Sequence, residues 1–187
     1  MRSLNVFNNI SLDGFSSDAR GDMSWAHQQD PEWMAFTNEN ASGDGAFLFG
    51  RVTYEMMASY WPTAAARQAM PEVAARMNRS QKIVCSRTLE QPDWQNTRLL
   101  KGDLVTEVRK LKQESGPSLL IMGSASIVAQ LSQARLIDSY QLVVHPLALG
   151  GGKSLFTGLE ERLNLKLTKS RAFGNGRVVL WYETARG

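Results

Sequence analysis

"AFLFGRVTYE", residues 46–55, begins as a continuous apolar run and stops abruptly at Gly50-Arg51. Such a run suits a strand in the middle of a sheet, covered on both faces. The residues that follow are helix-compatible as far as Trp61, and Pro62 ends them. The stretch therefore reads strand, glycine, helix. In a parallel sheet that places the helix N-terminus at the carboxyl edge. Unpaired backbone N–H groups there carry partial positive charge and hold anions. A glycine lets a ligand approach the backbone, Arg51 supplies a full charge, and Thr53 supplies a hydroxyl.

The arrangement recurs. "LLIMGSAS", residues 119–126, runs from a second apolar strand through Gly123 into a helix, with Ser126 as a further hydroxyl donor. A third strand, "KIVCSRTL" at 82–89, ends in Ser86-Arg87-Thr88. Hydroxyl, guanidinium and hydroxyl in succession suit a phosphate monoester. Each corner also has a plain structural reading: glycine for a tight turn, Ser124 as an N-cap, and 86–88 as a solvated strand end. Neither G-x-G-x-x-G nor GK[ST] occurs, so a Rossmann domain or phosphate-loop NTPase is not indicated.

Further strand-like runs lie at 4–11, 138–146, 163–173 and 177–184, and the runs above span 46–50, 82–86 and 118–123. Leu163, Leu165 and Leu167 alternate with polar residues, the period of a half-buried strand. Helical stretches fall between them. One starts with Asp30 as N-cap and Pro31 at the first position, and another with Asp103 as N-cap. "AARQAMPEVAARMN" must break at Pro71. Strand and helix alternate early and strands dominate late. This predicts an α/β three-layer sandwich with a mainly parallel central sheet and an antiparallel C-terminal edge, as one domain over 1–187. "ALGGGKS", 148–154, is expected to be the most flexible interior segment.

Composition narrows the function. The chain is 43% hydrophobic and 21% charged, ordinary for a globular protein. Its 21 basic and 18 acidic residues give a net charge of +3, and the basic residues form no block. Nucleic acid is therefore not expected as a partner. One cysteine, Cys85, precludes an internal disulfide, and with two histidines it is too little for a usual zinc site. No apolar run has the length of a signal peptide core or a membrane span, so a cytoplasmic setting is the default.

The three corners, in this order, resemble the dihydrofolate-reductase-like fold, and five stretches in order, "SLDGF" (11–15), "LFGRVTYE" (48–55), "KIVCSRTL" (82–89), "IMGSASIVAQL" (121–131) and "LVVHPLALGGGKSLF" (142–156), carry a closer likeness. The closer likeness is to small stand-alone relatives of the C-terminal reductase domain of bifunctional riboflavin-biosynthesis deaminase/reductases. The resemblance covers nearly the whole chain. It implies an NADPH-dependent reductase and assigns residues accordingly. Gly50, Arg51 and Thr53 would meet the cofactor phosphates. Ser86, Arg87 and Thr88 would surround the adenosine 2′-phosphate, and Gly123, Ser124, Ala125 and Ser126 the pyrophosphate. The backbone of Asn9 would approach the nicotinamide.

On the substrate side, "MSWAHQQD" (23–30) resembles the dihydrofolate reductase stretch that places a tryptophan five residues before the pterin-binding acid. Trp25 would be a lid over the nicotinamide. Asp30 would bind the substrate heterocycle and help supply its proton, or serve as a helix cap, or both. Asp13 would touch substrate or shape the first loop. The family's acid four positions after Thr53 is Met57 here, and the acid after Asp138 is Ser139. No deaminase signature is present. The implied activity is hydride transfer to a C=N or C=O carbon of a small polar heterocycle or sugar-derived imine. Dihydrofolate reduction and a catalytically silent nucleotide-binding module are the alternatives. Relatives tend to be dimeric, which implies a homodimer through the C-terminal strands.

Overall fold

Within residues 46–49 the side chains divide between two faces. Ala46 and Leu48 join one apolar cluster, Phe47 and Phe49 another. A strand buried on both sides needs that division, because successive side chains point oppositely. The computed structural model describes residues 1–28, 30–41 and 43–185. The strands are β1 (Leu4–Ser11), β2 (Phe15–Ser17), β3 (Ala46–Gly50), β4 (Lys82–Cys85), β5 (Thr97–Leu100), β6 (Leu119–Met122), β7 (Ser139–His145), β8 (Lys153–Ser154), β9 (Leu165–Ala172) and β10 (Val178–Thr184). The helices are α1 (Pro31–Asn40), α2 (Arg51–Tyr60), α3 (Ala64–Ala69), α4 (Pro71–Arg79), α5 (Leu104–Gln113) and α6 (Ala125–Gln133). A 3-10 turn spans Ser24–His27.

Eight strands form one sheet in the order β5-β4-β3-β6-β1-β7-β10-β9. It is parallel from β5 to β7, and β10 and β9 add an antiparallel edge. This is the sandwich that the alternation of strand and helix predicts. The long strands lie within two residues of their expected bounds. The short strands β2, β5 and β8 were not legible. β5 has a polar first half, "TR", and β2 and β8 pair only with each other.

One face of the sheet packs on α5 and α6 through Val108, Leu111, Ile127, Val128 and Leu131. The other packs on α1 through Trp33 and Phe36, and on α2 and α4 through Tyr54 and Met77. Pro71 breaks the helical run as expected, and α3 and α4 are separate helices. β6 enters the slot between β3 and β1 only after the chain has built the β3-β4-β5 half. Four parallel strands, β4, β3, β6 and β1, therefore end side by side on one edge, with a reversal of strand order among them. Ligands of open α/β sheets bind at such places.

Two lysines are held inside. Lys112 donates to the Leu136 carbonyl at 2.6 Å and to Asp138 at 2.5 Å, and Asp138 also accepts from the Leu4 N–H. Lys82 is fully buried, and its ammonium donates to the carbonyls of Met77, Asn78 and Ser80 at 2.8–3.0 Å. It also lies 4.3 Å from the Trp94 ring centroid. Burial lowers its pKa to about 8, so it remains mostly charged at neutral pH. Cys85 is pushed up to about 12 by burial and by Glu107, which leaves an unreactive thiol.

Lys82→Met retains volume but leaves the α4 carbonyls without their donor. The expected loss is about 1–3 kcal/mol, read as a lower urea midpoint at unchanged slope.

Candidate functional site

Gly50 ends β3, and Ser86 and Gly123 follow β4 and β6, all on the same edge: Gly50 aligns with Cys85, and Leu48 with Ile121. Two of these corners are tied to each other. The Gly50 N–H donates to Ser124 Oγ at 2.9 Å, and the Ser124 N–H donates to Thr53 Oγ1 at 3.2 Å. Gly50 has an ordinary φ of −81°, so its role is spatial. A Cβ there would sit 3.3 Å from Ile127 Cδ1 and 3.7 Å from Ser124 Oγ. Gly123 is the conformational glycine: its φ is +69°, and a Cβ would meet Thr53 Cγ2 at 3.1 Å. Its carbonyl accepts from the buried Asn8 amide at 3.1 Å. β3 thus ends in glycine because a second corner packs directly against it.

Helices α1, α3 and α5 are capped by the side chains of Asp30, Thr63 and Asp103. Helices α2 and α6, which start at the two tied corners, have no side-chain cap, and neither does α4, whose first residue is Pro71. Ser124 occupies the cap position of α6 in a left-handed conformation, φ 53°, but its hydroxyl serves Gly50. The N-cap reading of Ser124 is corrected on that ground. The first-turn N–H groups of Arg51 and Val52, and of Ala125 and Ser126, have no acceptor within their helices. These two clusters of donors are what an anion requires.

The charged groups beside them are exposed. Arg51 lies along its own helix, paired with Glu55 at 2.9 Å. Ser86 Oγ accepts the N–H groups of Thr88 and Leu89 at 3.1 and 3.0 Å, a turn that presents Arg87 to solvent. The Thr88 hydroxyl lies 3.4 Å from that of Ser86.

On the other side of β1, the Asp30 carboxylate accepts the Trp33 N–H at 2.9 Å, so the helix-cap reading holds. Its second oxygen accepts from the Asn175 amide and pairs with Arg177 at 3.6 Å. The Trp33 N–H, then Asn175 and Arg177, keep this carboxyl below its usual range. At neutral pH the free protein holds it ionised, as a hydrogen-bond acceptor. Trp25 meets the His145 ring edge-on at 5.0 Å, and its buried indole N–H has no partner among the described residues. His145, Arg177 and Asn175 were not picked out by the sequence pattern. The signals were a histidine closing an apolar strand in "LVVH" and an arginine just before "VVLWYE".

Asp13 shapes a loop. It accepts from Ser11 Oγ at 2.6 Å and from the Leu149 and Gly150 N–H groups at 3.0 and 2.7 Å. Those contacts, in that order, lower its pKa to about 2. The segment 148–154 is therefore pinned, contrary to the flexible reading. Gly152 is required where it stands, because a Cβ would lie 1.9 Å from the Ser17 carbonyl oxygen. Elsewhere, a cleft of about 750 Å³ lies among Ala58, Arg67, Asn78, Asp93 and Trp94, and none of the corner residues lines it.

A model of the RibD C-terminal domain matches residues 2–179 of this chain. The uncharacterized protein YyaP of Bacillus subtilis (strain 168) is 31% identical over 173 residues, covering 92% of this chain and 90% of YyaP. A candidate riboflavin biosynthesis protein from Shewanella sp. PV-4 is 26% identical with a TM-score of 0.73, over 98% of this chain and 99% of the other. A Thermotoga maritima diaminohydroxyphosphoribosylaminopyrimidine deaminase/5-amino-6-(5-phosphoribosylamino)uracil reductase shares the fold. Its TM-score is 0.67 at 15% identity, over 98% of this chain and 57% of that protein.

Two outcomes follow from the geometry. Gly123→Ala should cost about 1–2 kcal/mol more stability than Gly50→Ala, because only the former forces a side chain into the left-handed region; equal losses by urea denaturation would contradict this. Asp13→Ala should speed amide exchange at Leu149 and Gly150 by about tenfold at neutral pH. Because the folded carboxyl titrates near 2 and not 3.8, the contribution of Asp13 is complete above 3.8 and is lost as the pH falls through about 2.

Proposed function

The chain belongs to the RibD C-terminal domain family, and on that premise we propose that it is an NADPH-dependent reductase. The observation that carries this reading is the pair of uncapped helix N-termini at adjoining corners, flanked by Arg51 and Arg87. The order of the strands orients the cofactor. The 2′-phosphate is assigned to Ser86, Arg87 and Thr88 beyond β4, with Arg51 assisting. The pyrophosphate is assigned to Gly50, Arg51 and Thr53 beyond β3 and to Gly123, Ser124, Ala125 and Ser126 beyond β6. The nicotinamide end then falls at β1, beside Asn9. At about 4.8 Å per strand, β4 to β1 spans roughly 14 Å, long enough for a dinucleotide laid across the strand ends.

The bound dinucleotide supplies a hydride for a C=N or C=O carbon of a small polar heterocycle or sugar-derived imine. The chain's own residues orient and enclose. Trp25 covers the nicotinamide end and Asp30 accepts a hydrogen bond from substrate. Because Asp30 is held ionised, water delivers the proton. The Thermotoga maritima reductase, whose name records a ribosylaminopyrimidine substrate, supports placing the activity within riboflavin-type chemistry. We extend the reading to a single cytoplasmic reductase domain over 1–187 that forms a homodimer through the β9–β10 edge, where Leu167 is half exposed.

Titration by calorimetry should give much tighter binding of NADPH than of NADH, which has no 2′-phosphate. Arg87→Ala should lower NADPH affinity about ten- to a hundredfold with little effect on NADH, as expected for a charge-assisted contact. Arg51→Ala should act in the same direction but less, because Glu55 already engages that arginine. Binding of neither dinucleotide would end the reductase reading. Sedimentation showing only monomer at micromolar concentration would end the dimer reading.

A further inference from the structure

Three polar side chains stand in a row across one face of the sheet: Asn9 on β1, His145 at the end of β7, and Arg177 just before β10. The registers explain the row. Asn9 aligns with Val143 and Ser11 with His145, so Asn9 and His145 are diagonal neighbours on one face. Val179 aligns with Val143, which puts Arg177 beside His145 on that same face. His145 and Arg177 are each 2% exposed. His145 Nε2 lies 2.9 Å from Asn9 Oδ1, and Arg177 Nε lies 3.4 Å from His145 Nδ1.

Donor and acceptor chemistry fixes the direction of this row. An arginine Nε can only donate, so His145 Nδ1 must accept and carries no proton. The ring proton therefore resides on Nε2, which donates to Asn9 Oδ1. That holds the Asn9 carboxamide in one orientation. Its Nδ2 hydrogens have no protein acceptor among the described residues. Burial, and then the charge of Arg177, lower the His145 pKa to about 4, so the ring stays neutral across the working range. Arg177 is itself anchored by the Gln28 carbonyl, by Asp30 at 3.6 Å and by the Trp33 ring at 4.7 Å.

We propose that Arg177 and His145 are positioning residues that set the Asn9 carboxamide, so that its N–H groups donate to the carboxamide oxygen of the bound nicotinamide. This rests on the dinucleotide orientation given above, which brings the nicotinamide end to β1. The relay gives the site a side-chain donor in addition to the β1 backbone. It also explains why His145 and Arg177 are buried together: neither touches the ligand, and both act through Asn9.

The test compares NADPH with 2′-phospho-ADP-ribose, which lacks the nicotinamide. His145→Leu should lower NADPH affinity about tenfold, the scale of one hydrogen bond, and leave 2′-phospho-ADP-ribose unchanged. His145→Gln, whose amide can accept from Arg177 and donate to Asn9, should restore most of the difference. Should His145→Leu fail to fold, Asn9→Asp removes the donors at nearly constant shape and should give the same selective loss. Imidazole 15N spectra of the free protein should show the Nε2–H tautomer at neutral pH. An Nδ1–H tautomer would overturn the proposal, as would equal losses for both ligands or no loss for either. If the wild type binds neither ligand, the cofactor assignment itself falls and this inference falls with it.

Discussion

The exchange of hydrogen bonds between two corners organises this edge of the molecule. The Gly50 N–H reaches Ser124 Oγ, and the Ser124 N–H reaches Thr53 Oγ1. Each bond is of ordinary strength, but together they use the groups that would otherwise cap α6 and close the Gly50 turn. The consequence is two helix starts whose first-turn N–H groups have neither a side-chain cap nor an acceptor within their helices. Elsewhere the chain caps α1, α3 and α5 with Asp30, Thr63 and Asp103, and starts α4 at Pro71 without a side-chain cap.

The parallel sheet makes the exchange possible. β6 must lie between β3 and β1 for residue 124 to reach residue 50, and the chain builds that neighbour last. Asn8 and Asn9, adjacent in β1, then serve opposite faces. Asn8 holds the Gly123 carbonyl, and Asn9 meets His145. One strand thus links the Gly123 corner to the buried polar row. Asp30 offsets the charge of Arg177 in that row, and His145 remains neutral, so the row carries little net charge. A neutral, donor-rich wall suits a carboxamide better than an anion.

Much of this was legible in the residues. "FLFG", "KIVC" and "LLIM" read as buried strands because their apolar runs are short and unbroken, and the two glycine corners are visible from the junctions alone. Asp30 and Asp103 were legible as caps because side-chain capping is local. What escaped is long-range. The partner of Ser124 lies 74 residues away, and the hydroxyl of a serine at a helix start says nothing about a distant amide. The pinning of 148–154 depends on Asp13, more than 130 residues earlier, and three glycines in a row suggest freedom until their neighbours are known. His145 and Arg177 looked like isolated polar residues at strand ends, since only the register aligns them.

The central claim is that a dinucleotide lies across the carboxyl ends of β4, β3, β6 and β1. The most direct measurement is backbone amide chemical-shift mapping on addition of NADPH. The account predicts that the largest changes fall at residues 50–53, 86–88 and 123–126, with smaller ones at Asn9. Changes centred instead on Ala58, Asn78, Asp93 and Trp94, the residues of the large cleft, would contradict it and move the binding site away from the strand ends.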